Sequence, residues 1–130
     1  MTDLLIYHLV PAADYQAQPF DRPYQPATLV EGGFIHCTAG LELLVQVAND
    51  YYATLTGELL VLEIDPDRLA APLKFEPPLP PGPEDSVPVE HRDRLFPHIY
   101  GPLNRDAIRR IFALIREPVG WRLPNLAGDS

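Results

Sequence analysis

Histidine is the residue type whose positions best predict a chemical site in this chain. Three of the four histidines lie inside short apolar segments with the length and the β-branched or aromatic content of buried strands. They are His8 in residues 4–10, His36 in residues 33–38 and His98 in residues 95–101. A buried imidazole needs hydrogen-bond partners, because an unsatisfied buried polar group costs roughly 1–3 kcal/mol. The pattern therefore predicts a polar site carried by strands, and neutral imidazole suits acid–base, metal-binding or ligand-binding chemistry.

Each of these histidines shares a strand face with apolar or aromatic neighbours, because side chains alternate along a strand. The same-face sets are Ile6, His8 and Val10, then Phe34, His36 and Thr38, then Phe96, His98 and Tyr100. A mainly apolar wall that carries a few polar groups is typical of a ligand pocket. Two interpretations stay open at this point: one shared pocket, or three histidines that are satisfied separately in the core.

Three narrower chemistries follow from the same residues. Imidazoles from distant strands can share a zinc or iron ion, but the chain has no HxH, HxxxH or HExxH pair, and no metal is expected. Cys37 precedes the main predicted helix, yet a buried free cysteine is usually part of the core rather than a nucleophile. His36-Cys37-Thr38 matches one half of the paired H-x-T/S motif of cyclic-phosphodiesterase-type enzymes, whereas His8-Leu9-Val10 lacks the second hydroxyl.

Apolar periodicity predicts the elements that must position these residues. The clearest is a helix over about residues 39–52, whose apolar residues recur at helical spacing, with Thr38 as its N-cap. Strands are predicted over residues 4–10, 34–37, 59–64, 73–75 and 96–100, a helical turn or two over 12–18, and a loop over 19–33. Residues 110–116 suit a strand or a helix, and the strand is favoured. These elements indicate a small α+β domain with five or six strands and one dominant helix.

A proline-rich segment, residues 77–94, interrupts the second half of the chain. Its prolines predict an extended surface loop rather than a linker between two domains. Arg92 and Arg94 are the nearest positive charges to His98 along the chain, and Arg94 is a predicted ligand contact. A single domain is expected over residues 1–116, followed by a frayed C-terminal tail over 117–130.

Composition limits the classes of function. The formal net charge of −8 argues against a general nucleic-acid-binding or membrane-binding surface, because both need clustered lysine and arginine. The single cysteine excludes an intramolecular disulfide and fits a reducing compartment, so a cytoplasmic location is expected. The N-terminal apolar run is too short for a membrane span and is not expected to be a signal peptide.

Four segments carry a family resemblance. They are Ile6-Tyr7-His8, residues 33–38, residues 60–65 and the block Phe96-Pro97-His98-Ile99-Tyr100-Gly101-Pro102-Leu103. Together they resemble a bacterial family catalogued as domain of unknown function 952, over about residues 4–116, and the last block is the most specific. The fold of that family resembles the ADP-ribosyltransferase fold, in which two small, mainly antiparallel sheets form a cleft for NAD.

The resemblance implies roles for individual residues. His8 would contact a ribose of NAD and His36 would lie near the nicotinamide, as in the RNA 2′-phosphotransferase branch, so both are the implied catalytic residues. Thr38 would lie at the mouth of the same motif. The glutamate that usually orients the ribose has no clear counterpart, and His98 and Tyr100 stand in its place. Tyr7 and Arg94 complete the implied set of ligand-binding residues.

The resemblance thus implies an NAD-like nucleotide-binding domain, with ADP-ribosyl or 2′-phosphate transfer as the reaction and NAD as the substrate. A catalytically inactive binding module is the alternative that the missing glutamate and the sparse basic residues favour. A histidine-based metal-dependent hydrolase is the third hypothesis. The expected partner is a small nucleotide, and the oligomeric state stays open. His8→Ala and His36→Ala are expected to abolish binding and leave the fold intact.

Overall fold

The structure is a computed structural model that describes residues 5–77 and 95–125. In these ranges the strands are β1 Ile6–Pro11, β2 Ile35–His36, β3 Thr38–Ala39, β4 Leu59–Ile64, β5 Leu73–Glu76, β6 Phe96–Ile99, β7 Ile108–Ala113, β8 Ile115–Glu117 and β9 Gly120–Arg122. The helices are α1 Ala12–Gln16, α2 Ala27–Gly32 and α3 Leu41–Tyr51, with short 3₁₀ turns at Pro66–Arg68 and Arg105–Ala107. This is the α+β architecture with small antiparallel sheets that the sequence predicts.

The larger sheet has the strand order β3-β1-β4-β7, and each neighbouring pair is antiparallel. β4 lies inside this sheet because its nearly continuous apolar run suits burial on both faces. Its bounds are those that the sequence predicts. β1 pairs with β4 along its whole length, from Ile6 opposite Ile64 to Pro11 opposite Leu59.

The smaller sheet has the order β2-β6-β5, also antiparallel. The chain passes from this sheet into the larger one within two residues. His36 pairs with His98 in β6, Cys37 donates its N–H to the carbonyl of Pro97 at 3.0 Å, and Thr38 pairs with Tyr7 in β1. β3 covers only the Ile6–Tyr7 end of β1. Beyond that end β3 no longer covers the edge of β1, and a cleft lies there that residues of both sheets line.

Two apolar cores lie on the two faces of the larger sheet, as strand alternation requires. One contains Ile6 and Val10 of β1 together with residues of the smaller sheet, such as Ile99. The other contains Tyr7 and Leu9, which pack against helix α3. The smaller sheet and α3 therefore approach β1 from opposite sides.

Helix α3 confirms the predicted apolar stripe, and its residues Leu44 and Ala48 are fully buried. The predicted N-cap is wrong, because the backbone of Thr38 is paired with Tyr7 in the sheet. Gly40 precedes the helix instead, with a φ of 100° that favours glycine. None of the helices in the two described ranges is long and apolar enough to cross a membrane.

Three segments differ from the prediction. The single strand expected over 110–116 is divided between β7 of the larger sheet and β8, which pairs with β9. The expected loop over 19–33 contains helix α2, which starts directly after Pro26 and ends at Gly33, a residue in the left-handed region with a φ of 91°. The expected frayed tail from residue 117 contains the β8–β9 hairpin instead. Trp121 of this hairpin is buried against α3, and this packing orders the segment. The proline-rich loop prediction falls mostly on residues 78–94, which lie outside the described ranges.

Candidate functional site

The cleft at the edge of β1 has a volume of about 580 Å³ and is lined mainly by apolar and aromatic side chains. His8, His36 and His98 all line it, so strands β1, β2 and β6 bring the three predicted histidines to one cavity. Its other polar lining residues are Asp14, Gln18, Tyr24, Thr28, Thr38, Tyr51 and Tyr52. No lysine or arginine occurs among the lining residues of the part of the chain that the structure describes.

His8 uses both of its ring nitrogens inside the protein. Nδ1 lies 2.7 Å from the backbone carbonyl oxygen of His36, and Nε2 lies 2.9 Å from the hydroxyl of Tyr24. A carbonyl oxygen only accepts, so Nδ1 carries the proton, and Tyr24 donates to Nε2. Burial lowers the pKa of His8 to about 4, which keeps the ring neutral at pH 7. His8 is therefore a neutral bridge in the wall of the cleft.

His36 is half-buried, and its ring makes no hydrogen bond to any residue in the described ranges. It packs 4.7 Å from the ring of Phe34 and 5.7 Å from that of His98, measured between centroids. Burial, followed by the neighbouring His98 and His8, lowers the pKa of His36 to about 4. A neutral imidazole with one donor and one acceptor nitrogen thus faces the cavity.

His98 is almost completely buried, and its Nδ1 lies 2.9 Å from Oε1 of Glu76. The hydroxyl of Tyr100 donates to the same carboxylate oxygen at 2.5 Å. These two hydrogen bonds, that from Tyr100 first, lower the pKa of Glu76 and keep it ionised. Phe34 stacks on the His98 ring with a centroid distance of 4.2 Å. His98 is thus held by a carboxylate on one edge and an aromatic ring on its face.

Sequence reasoning missed Glu76. No spacing motif connects it with His98, because they meet only through the pairing of β5 with β6 across the proline-rich segment. Its position at the end of a short strand, just before a proline, is a signal shared by many solvated carboxylates. The contact is a property of sheet register rather than of local sequence.

Of the other predicted ligand-binding residues, Thr38 lines the cleft. Tyr7 does not, because β3 covers the edge of β1 at Tyr7 and its side chain packs in the core against α3. Tyr100 is also not a lining residue, because its hydroxyl is turned to Glu76. Arg94 lies outside the described residues. Tyr7 and Tyr100 therefore do not line this cleft, and their roles as ligand-binding residues stay predictions.

Cys37, considered above as a nucleophile, and Glu63 of strand β4 both have structural positions. Cys37 is buried, and burial raises the pKa of its thiol, so the inert interpretation is favoured over that of a nucleophile. Glu63 does not line the cleft, because it accepts a hydrogen bond from Arg110 on the neighbouring strand β7 at 3.0 Å.

The wall formed by residues 14–28 is attached to the domain by Arg105. Its guanidinium donates to the carbonyls of Arg22 and Pro19 at 2.9 and 2.8 Å, and to the hydroxyl of Tyr15 at 2.7 Å. The same guanidinium lies 5.2 Å from the centroid of the Tyr15 ring. These contacts fix the segment that leads to Tyr24, and Tyr24 in turn donates to His8.

Another wall of the cleft comes from the end of helix α3, through Val47 and Tyr51, and from Tyr52 directly after the helix. Burial, and then the charge of Asp14, raises the pKa of Tyr52, so its hydroxyl is neutral. Together with the neutral rings of His8 and His36, these groups make a cleft whose described wall holds one carboxylate, Asp14, and neither lysine nor arginine.

A three-histidine metal site does not fit this geometry. In the described ranges no group of three or more His, Cys, Asp or Glu side chains is arranged as a metal site. The physical reason is that both nitrogens of His8 are already hydrogen-bonded, so His8 has no lone pair to offer. His98 has only one nitrogen that is not directed at Glu76.

Comparison with known proteins gives a family and a fold. The model of the family described as "Protein of unknown function (DUF952)" matches residues 9–111. The crystal structure of protein CC0527 from Caulobacter crescentus is 26% identical, with a TM-score of 0.68 over 96% of both chains. The crystal structure of a double mutant of CC0527 is 25% identical, with the same TM-score and the same coverage. The solution NMR structure of CC0527 is 24% identical, with a TM-score of 0.66 over 97% of this chain and 96% of that one. No curated protein matches the chain.

Proposed function

Because this chain belongs to the DUF952 family, whose description states no activity, we propose a function from the cleft itself. The protein binds the nicotinamide-ribose part of an NAD-like nucleotide in this cleft. The planar base lies among the tyrosine and imidazole rings, and the phosphates lie outside the cavity. The domain is first a binding module in this proposal, and catalysis is a separate question.

One observation carries the proposal. The described wall of the cleft combines three imidazoles and three tyrosines and contains neither lysine nor arginine. Aromatic walls with a few placed hydrogen-bonding groups suit a planar heterocycle and ribose hydroxyls. Buried phosphates, in contrast, are usually held by arginine, lysine or helix N-termini. The wall therefore favours the nucleoside part over the phosphate part as the group that enters.

His36 is the proposed recognition residue. Its ring nitrogens have no hydrogen-bond partner in the described ranges, and its lowered pKa of about 4 keeps one donor and one acceptor available. Thr38, two residues on, adds a hydroxyl to the same part of the wall. His8 acts indirectly in this proposal, because it holds the backbone of His36 in place.

Transfer of a 2′-phosphate receives less support, because the described wall offers no cation to clamp that group. A metal-dependent hydrolase receives less support because His8 has no free nitrogen. ADP-ribosyl transfer is compatible with binding of the nicotinamide-ribose part, and it would need an acid or base at the cleft.

Calorimetric titration of the full chain with three probes tests the proposal. We expect nicotinamide riboside and NAD to bind with similar affinity, and ADP-ribose, which lacks the nicotinamide, to bind at least about tenfold more weakly. His36→Leu should weaken the binding of nicotinamide riboside by about tenfold or more. Absence of binding by nicotinamide riboside, or equal affinity for ADP-ribose and NAD, would show that the assignment is wrong.

A further inference from the structure

We propose that Glu76 and His98 form an acid–base pair for the cleft, in which Glu76 positions His98 so that its Nε2 exchanges a proton with a bound ligand. This inference rests on the proposed function for the place where the ligand lies. It supplies a catalytic group in a chain in which the glutamate implied by the resemblance has no clear counterpart. It also assigns Glu76 a role that does not require contact with the ligand.

The hydrogen bond between the two residues defines the state of the imidazole. Nδ1 of His98 lies 2.9 Å from a carboxylate oxygen of Glu76, and an ionised carboxylate only accepts. The proton of the neutral ring is therefore on Nδ1, and the lone pair is on Nε2. His98 lines the cleft whereas Glu76 does not, and the proposal therefore places the ring edge opposite Glu76, which carries Nε2, toward the cavity.

The surroundings of the pair restrict its movement. Only 1% of His98 is exposed, and Phe34 stacks on its ring. Tyr100 donates to the same oxygen of Glu76 that accepts from His98, so the carboxylate is oriented from two sides. A ring that is held in this way cannot flip to present Nδ1 to the cleft without losing the Glu76 hydrogen bond.

The other two histidines of the cleft are less suited to this role. Both nitrogens of His8 are committed to His36 and Tyr24. His36 has no carboxylate partner in the described ranges, and burial opposes its protonation. His98 alone among them is paired with a carboxylate that stabilises the imidazolium.

The proton transfer is a simple exchange. A hydroxyl of the ligand gives its proton to Nε2, its oxygen keeps the electron pair of the broken O–H bond, and the ring becomes an imidazolium. The negative charge of Glu76 offsets the new positive charge on the ring. In the reverse step Nε2 returns the proton to a leaving oxygen or nitrogen atom of the ligand.

Two measurements on the full chain test this pair without knowledge of the natural ligand. Nitrogen-15 NMR of the imidazoles at pH 8 should show a protonated Nδ1 and an unprotonated Nε2 in His98. Diethyl pyrocarbonate, a small acylating probe for unprotonated imidazole nitrogen, should modify His98 and should leave His8 unmodified. A protonated Nε2, or a His98 that stays unmodified while His36 reacts, would overturn the proposal.

Variants distinguish the specific role of Glu76 from a general disturbance of the structure. In Glu76→Leu we expect His98 to shift toward the Nε2–H tautomer and its acylation rate to fall about fivefold or more. Glu76→Gln keeps an accepting oxygen, so it should retain the tautomer and show the smaller rate loss that removal of the charge causes. Phe75→Leu, at an exposed position on the other face of the same strand, is the matched control and should behave like the wild type. A Glu76→Leu variant that retains both the wild-type tautomer and the wild-type rate would refute the role of Glu76.

Nicotinamide riboside distinguishes this proposal from the proposed function. If it binds, the Nε2 resonance of His98 should shift, and its acylation should slow by about tenfold at saturation. Binding that shifts His36 and leaves Nε2 of His98 unchanged would refute the acid–base role alone. If nicotinamide riboside does not bind and His98 still shows the expected tautomer and reactivity, the proposed ligand is refuted and the proposed acid–base pair is still supported.

Discussion

Nδ1 of His8 donates to the backbone carbonyl oxygen of His36 at 2.7 Å, and this hydrogen bond joins the larger sheet to the smaller one. The two residues are 28 positions apart in the chain. Nε2 of the same ring accepts from Tyr24, so one side chain connects three segments of the cleft wall. A histidine that the family resemblance makes catalytic is thus a structural bridge in the geometry.

Replacement of His8 should therefore reduce stability, contrary to the sequence-based expectation of an intact fold. His8→Ala leaves the His36 carbonyl and the Tyr24 hydroxyl without their partner in a buried site, and we expect a loss of about 2–4 kcal/mol in the free energy of unfolding. Urea denaturation followed by fluorescence measures it. Tyr24→Phe is the matched variant and should lose about 1–2 kcal/mol. A His8→Ala variant of wild-type stability would contradict this role.

The stability of the fold should depend on pH through the histidines. Burial lowers the pKa values of His8 and His36 from 6.5 to about 4, so the unfolded chain binds protons that the folded chain does not. Stability is therefore full above about pH 7 and decreases as the pH falls from 6.5 toward 4, by about 1.4 kcal/mol per pH unit for each proton.

Denaturation at a series of pH values, with His36→Gln as the comparison, measures this dependence. The variant has the same carboxylates, so their contribution cancels. Between pH 6.5 and 4 we expect its free energy of unfolding to change less steeply with pH than that of the wild type. The difference in slope should be about 1.4 kcal/mol per pH unit, the contribution of one proton. Equal slopes in the two proteins would mean that His36 titrates alike in the folded and unfolded states.

Filling the cleft should abolish binding and leave the fold unchanged. Val47 lies on helix α3, is only partly buried and lines the cavity, so Val47→Trp places an indole in the space proposed for the ligand. We expect the affinity for nicotinamide riboside to fall at least about tenfold, as calorimetry would show. Gln46→Trp puts the same side chain on the exposed face of the helix and should bind like the wild type. Equal binding by both variants would place the ligand elsewhere.

The contacts of Arg105 should keep the cleft wall formed by residues 14–28 ordered. Arg105→Ala removes three hydrogen bonds from a charged group to residues 15–22, and we expect a loss of about 1.5–3 kcal/mol in stability. The local effect should be faster hydrogen–deuterium exchange in residues 17–25, measured by mass spectrometry, while exchange in β4 changes little. Arg105→Lys keeps the charge and loses the forked geometry, so it should give an intermediate effect. Unchanged exchange in Arg105→Ala would show that the wall is held by other contacts.

The C-terminal hairpin should be part of the cooperative fold. The N–H of Trp121 donates to Oδ1 of Asn49 at 2.8 Å, and its indole N–H donates to the carbonyl of Tyr52 at 2.9 Å. Trp121→Ala should cost about 3–5 kcal/mol. Because Trp121 is the only tryptophan, its fluorescence in the wild type should change with the same midpoint as circular dichroism. An earlier fluorescence transition would make the hairpin a separate, weaker unit.

Local patterns explain which parts of the fold the sequence predicts well. Helix α3 and strand β4 carry uninterrupted apolar patterns, and each is found within two residues of the prediction. Helix α2 has fewer such signals, since none of its residues is buried, and its flanking proline and glycine look like those of a loop. The β8–β9 hairpin is missed for the same reason, because its order depends on one buried residue, Trp121.

The candidate site also has features that the sequence predicts and features that it does not. Alternation along β1 already separates Tyr7 from His8, and the structure places them on opposite faces. The difference in hydrogen bonding between His8 and His98 is not local. It depends on Tyr24 in one case and on Glu76 in the other, and both partners come from distant segments.

By itself, the sequence determined where the main strands and the long helix lie, which face of its strand each histidine occupies, and that few cations are available. Only the tertiary structure decided that the three histidines line one cleft and that Glu76 meets His98. Apolar periodicity reports the burial of each element separately, because it reflects the solvent exposure of neighbouring residues. Contacts between elements depend on strand order and register, and in this chain they depend on the crossing at Cys37 and on the pairing of β5 with β6.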